Sequence, residues 1–77
     1  MSAKSLATLH EGESAQVVSL LNKGRIKSRL QDLGLVPGTQ VLCIQKSPYG
    51  DPVAYGIRGA VIALRLDDAK DVLVRHL

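Results

Sequence analysis

Leu33-Gly34-Leu35-Val36-Pro37-Gly38-Thr39, LGLVPGT, ends a helix, turns the chain and starts a strand with no spare position. Gly34 can take the left-handed backbone just beyond a helix, and Leu35 can fold back onto the last helical turn, as a Schellman stop requires. Pro37 and Gly38 suit the central positions of a type II turn, where proline sets a negative φ and glycine accepts a positive one. A helix therefore lies upstream of this corner and a strand lies downstream.

Upstream, Asn22 is expected to cap a helix from about Lys23 to Leu33, on which Ile26, Leu30 and Leu33 form one narrow apolar stripe at i, i+4 and i+7. Before it, Ser14 to Leu21 (SAQVVSLL) reads as a strand rich in β-branched residues, and its alternation slips at Val17-Val18, as at a bulge. Residues up to Gly12 read as a lead-in anchored by Leu6 and Leu9, with residues 1–5 expected to be flexible. Downstream, Thr39 to Lys46 is a strand with Val41 and Cys43 on one face and Leu42 and Ile44 on the other. The loop Ser47 to Pro52 (SPYGDP) turns the chain, and Val53 to Arg58 and Ala60 to Arg65 form a hairpin around Gly59. Asp67 to Lys70 forms one capped helical turn, and Val72 to Arg75 is the last strand. Five short strands with one inserted α-helix and a short C-terminal helical turn predict a mainly β fold, a small closed or nearly closed barrel.

The 77 residues suffice for one domain, 1–77, with a small core. That core is aliphatic, because there is no Phe or Trp and only two Tyr. The lone Cys43 excludes an intramolecular disulfide, and no CxxC or Cys/His cluster offers a structural zinc site. No run approaches the ~18 apolar residues of a membrane span, and the opening MSAKSLATLHEGES has no signal-peptide core, so a cytosolic location is expected. The net charge of +3 is unevenly placed: Lys23, Arg25, Lys27 and Arg29 contribute +4, and the other six basic and seven acidic residues sum to −1. This concentration suits docking to an acidic partner better than wrapping a nucleic acid.

The segments GES (Gly12 to Ser14), RLQDLGLVPGT (Arg29 to Thr39), PYGDPV (Pro48 to Val53) and ALRLDDAKDVLV (Ala63 to Val74) together resemble the FeoA family of bacterial ferrous iron uptake. The resemblance runs from about Leu6 to Val74 and implies an SH3-like β-barrel with an inserted helix. It also implies a role beside FeoB, a membrane transporter for ferrous iron whose cytosolic part contains a GTPase domain. The same fold occurs as the C-terminal domain of iron- and manganese-dependent repressors. No helix-turn-helix precedes it in this sequence, so the chain is not expected to be such a repressor by itself.

The candidate partner-binding residues are Lys23, Arg25, Lys27, Arg29, Tyr49 and Asp51. Arg25 and Arg29 stand one helical turn apart and can grip carboxylates; the plainer explanation is a solvated face on which Arg29 pairs with Asp32. Tyr49 and Asp51 could form a contact surface with Pro52; the plainer explanation is turn chemistry, with Asp51 accepting from nearby amides. His10, Glu11, Glu13, His76 and Cys43 are the candidate donors to Fe²⁺, but their spacing is not that of a built site, and Cys43 reads as core. No metal or cofactor site is assigned, and any association with Fe²⁺ is expected to be weak or indirect. Nothing places a nucleophile beside a base, and no GxxxxGK[ST] phosphate loop is present.

The leading expectation is a non-enzymatic accessory protein that docks on the cytosolic GTPase region of a FeoB-type transporter, reaching the membrane only through it. A small basic barrel that binds nucleic acid and a direct Fe²⁺ sensor or chaperone are the alternatives. The first lacks the aromatics for base stacking, and the second lacks ligand spacing. Exposed strand edges leave room for self-association.

Overall fold

The computed structural model describes residues 3–77. Its elements in chain order are β1 (Lys4–Ser5), a 3-10 turn (Leu6–Thr8), β2 (Ser14–Leu20), α1 (Gly24–Asp32), β3 (Gln40–Lys46), β4 (Val53–Ile57), β5 (Ala60–Leu64), α2 (Leu66–Ala69) and β6 (Val72–His76). The strands form one antiparallel sheet in the order β1-β6-β2-β3-β4-β5. The described residues thus form six strands rather than about five. Lys4 and Ser5 pair with Val74 and Leu73, so the described part of the expected flexible lead-in is tied into the sheet. Two residues are too few for an alternation to show, and only their partners in β6 make them a strand. Leu6 and Leu9 are fully buried, as expected of its anchors.

The corner forms as its residues require. Gly34 has φ +108°, its amide donates to Gln31 O at 3.0 Å, and the Leu35 amide donates to Leu30 O at 3.0 Å. These two bonds define a Schellman stop, and both Leu30 and Leu35 are buried. The Thr39 amide donates to Val36 O at 3.0 Å across the Pro37-Gly38 turn, where Gly38 has φ +93°. The turn then locks onto β2: Val17 donates to Thr39 O, and Gly38 donates to Val17 O, each at 2.8 Å. The register of β2 against β6 shifts between Val17 and Ser19, where the sequence slips out of alternation.

Helix α1 begins one residue later than expected. Lys23 is its N-cap and supplies no side-chain bond, whereas the buried Asn22 amide donates to Asp68 O at 3.0 Å. Asn22 therefore ties the exit of β2 to α2 instead of capping α1. Of the apolar stripe, Leu30 is buried, Leu33 half-buried and Ile26 48% exposed. The core gathers Leu6, Leu9, Val41, Cys43, Tyr55 and Val74 with their neighbours on one face of the sheet. Burial pushes the Tyr55 hydroxyl up to about 12, so this largest core side chain is uncharged at neutral pH.

The β4–β5 hairpin turns through Arg58 and Gly59, at φ +52° and +82°. Two positive-φ residues make a type I′ turn, which matches the twist of the strands. Arginine is an uncommon occupant of this conformation, and its aliphatic stem lies against Gly34: a Cβ built there would stand 2.8 Å from Arg58 Cδ and 3.2 Å from Ile57 Cγ2. Gly38 has open space around the equivalent position. Substituting Gly38→Ala should cost about 1 kcal/mol of backbone strain. Gly34→Ala should cost up to roughly 1 kcal/mol more, because the side chains of Arg58 and Ile57 must also shift. Urea unfolding of both variants beside the parent checks the ordering.

Candidate functional site

The four cations of the basic run lie on and before α1, but they do not form one patch. Residues two apart on a helix differ by about 200°, so Lys27 points away from both Arg25 and Arg29. Arg25 and Arg29 share a flank, i and i+4, beside the half-open strip of Ile26 and Leu33. All four cations are exposed. The expected pairing of Arg29 with Asp32 does not form: among the described residues the ion pairs within 4 Å are Lys70 with Asp67, at 3.8 Å, and His76 with Glu13, at 4.0 Å. Along the short α1 a single carboxylate, Asp32, follows the basic run, and the other acidic residues stand on other elements.

Between α1 and β5 runs a groove of about 260 Å³, with Ile26, Leu33 and Ile62 among its apolar lining and Arg29, Arg65 and Asp68 among its charged lining. Sequence reasoning did not foresee it. Arg65 reads as the polar end of a strand, and only the packing of the hairpin near the helix brings it to the same groove as Arg29. A signal was present in Ala60 to Leu64, AVIAL, an uncharged run that leaves a strand no charge with which to guard an edge.

Tyr49 and Asp51 belong to the β3–β4 loop but behave differently. Tyr49 is 96% exposed. Asp51 Oδ1 accepts from the Leu66 amide at 3.0 Å, so this carboxylate caps the first amide of α2. The partners expected for Asp51 are nearby amides of its own turn; the bond found goes instead to an amide 15 residues away, on another element.

With this geometry in place, known proteins supply the context. A family model described as the FeoA domain matches residues 4–76. The chain belongs to the FeoA family. A fusion of Fe(2+) transport protein A with the Fe(2+) transporter FeoB from Porphyromonas gingivalis is 33% identical over 69 residues, which cover 90% of this chain and 8% of that relative. The chain therefore spans a small part of that fusion. The solution structure of FeoA from Chlorobium tepidum is 32% identical, covers 95% of this chain and 70% of its own, and superposes with a TM-score of 0.90. The crystal structure of Stenotrophomonas maltophilia FeoA in complex with zinc, described as a prokaryotic SH3 domain protein, is 35% identical, with 91% and 87% coverage and a TM-score of 0.80. The FeoA resemblance and the mainly β, SH3-like fold read from the sequence are both borne out.

In this FeoA chain the lead-in carboxylates are engaged with backbone. Glu13 Oε1 accepts from the His10 amide at 2.6 Å, and Glu11 Oε2 accepts from the Lys46 amide at 2.7 Å. The same segment is stitched to β3, with Gly12 donating to Cys43 O at 2.7 Å and Cys43 donating to Glu13 O at 2.9 Å. Cys43 is fully buried and burial pushes its thiol up, which keeps it an uncharged core residue. Among the described residues no three His, Cys, Asp or Glu side chains gather as metal donors, and none of the helices is long and apolar enough to cross a membrane.

The amide of His10 holds the Glu13 carboxyl below the usual carboxylate range; partial burial opposes this, and the charges of His10, His76 and Lys4 add to it. A depressed folded-state value contributes stability above the unfolded-state pKa and loses it as pH falls through the folded one. Glu13→Gln should therefore be less stable than the parent at neutral pH, and the gap should close as the pH drops below about 4. Thermal unfolding of both proteins across that range reads the difference.

Proposed function

We propose that this FeoA-family protein is a non-enzymatic accessory that docks on the cytosolic, GTPase-containing region of a FeoB-type ferrous iron transporter and alters its activity or assembly. The observation that carries this reading is the continuous chain that joins a relative of this sequence to FeoB in Porphyromonas gingivalis. Two functions fused in one polypeptide work at high effective concentration, and separate chains need an interface to reach the same proximity. The Arg25 and Arg29 flank of α1 is the contact surface in this reading. Its guanidinium groups are exposed and lie within 4 Å of no carboxylate among the described residues, so docking breaks no existing pair. In this reading Fe²⁺ is the transporter's cargo, any nucleotide is held by the transporter, and the protein works at the cytosolic face of the membrane through its partner.

Isotopically labelled protein titrated with the isolated cytosolic region of the transporter, in both nucleotide states, tests this reading. Amide shifts should centre on α1, and affinity should fall between 50 and 500 mM salt, because the screening length shortens from about 14 Å to about 4 Å over that range. Arg25→Glu with Arg29→Glu should weaken binding by about tenfold or more, leaving the fold intact. An absence of shifts in both states overturns the docking. A contact unaffected by salt and by the charge reversals overturns its electrostatic basis.

A further inference from the structure

Strand β5 ends the sheet order, and among the described residues its outer edge pairs with no other strand. Beyond its ladder to β4, no backbone group from Ala60 to Leu64 makes another hydrogen bond among the described residues. Antiparallel pairs alternate between those that exchange bonds and those that do not. With Ile57 and Ala60 closing the two-residue turn, Val61 and Ala63 are the residues whose N–H and C=O point outward. Val61 is also 71% exposed, and no charge, proline or bulge guards the strand. Alongside this edge runs the groove lined by Ile26, Leu33 and Ile62 and by two cations, Arg29 from α1 and Arg65 from the end of β5.

We infer that the β5 edge and the α1 groove together bind an extended segment of a partner protein, added as a seventh strand, with apolar side chains set into the groove and flanking carboxylates against Arg29 and Arg65. The backbone groups of Val61 and Ala63 supply the ladder and the groove reads alternate side chains, which is how strand addition combines affinity with specificity. Charge selects an acidic segment over a second copy of this chain. Two β5 strands paired antiparallel about Ile62 would set Arg65 of each copy opposite Gly59 of the other, in the stretch Arg58-Gly59-Ala60, which carries no carboxylate to meet it. Asp68 lines the same groove and sets a limit on how far the acidic preference extends toward α2. The inference rests on the docking reading above and specifies the kind of partner segment recognised.

The probe is a blocked nine-residue peptide alternating valine and glutamate, compared with its valine–lysine counterpart, titrated into labelled full-length protein. The acidic peptide should shift the amides of β5 and the methyl groups of Ile26 and Leu33, and slow exchange of the Val61 and Ala63 amides at least fivefold. Val61→Pro removes an outward N–H without touching the β4 ladder, a substitution that edge strands tolerate, and should weaken binding at least tenfold. Arg29→Glu combined with Arg65→Gln should turn the preference to the lysine peptide, and it keeps the test decisive if the proline variant does not fold. Three results overturn the inference: no shifts at millimolar peptide, equal response to both peptides, or concentration-dependent self-association through β5 without peptide, which makes a second copy the occupant. The transporter is absent from this experiment, so a negative result leaves the docking itself to be decided by the titration with the cytosolic region.

Discussion

The left-handed backbone of Gly34 is the constraint on which three separate parts of the molecule converge. It stops α1, and because it carries no side chain it lets the stem of Arg58 from the β4–β5 hairpin lie directly on the helix end. Four residues further on, the Pro37-Gly38 turn is bonded to the bulged position of β2. One short corner thus fixes the helix, the far hairpin and the middle of the sheet relative to one another. This matters because α1 itself buries just one side chain completely, Leu30. A helix of nine residues is too short to hold its own structure in water, so its position must be set at its ends and by that single anchor.

That arrangement also explains why the surface near α1 is available. The hairpin meets the helix at Arg58 and Gly34 but leaves Ile26 and Leu33 open opposite Ile62, which produces the groove. The cations around it have no carboxylates within 4 Å among the described residues, whereas acidic residues elsewhere are engaged: Glu11 and Glu13 with backbone amides of the N-terminal segment and β3, Asp51 with α2, Asp67 with Lys70. Exposed single ion pairs contribute little to stability, so leaving these arginines unpaired is inexpensive for folding. The basic charge that stands out in the sequence is therefore concentrated where the fold makes least use of it.

Much of the fold was legible because local signals and global structure agree. The LGLVPGT corner, the slip at Val17-Val18, the Gly59 hairpin and the alternation of Val41 and Cys43 each point to the conformation found. The candidate site was less legible. Arg25 and Arg29 share a helix flank as their spacing implies, but Arg65 belongs to the same surface only through packing. Asn22 is a good capping residue by type, yet its side chain bonds to a carbonyl 46 residues away. The same holds for Asp51 and for β1, whose roles depend on partners distant along the chain.

The sequence by itself determined five of the six strands, the two helices, the helix stop and the two turns, the aliphatic core and the concentration of positive charge on one short segment. These depend on backbone preferences and side-chain type within a few residues, which the order of amino acids states directly. Only the tertiary structure decided which strand was left at the edge of the sheet, which arginines lined one groove and which carboxylates were engaged with distant amides. Each of those depends on contacts between segments far apart along the chain, and their geometry is set when the hairpin closes onto the end of α1.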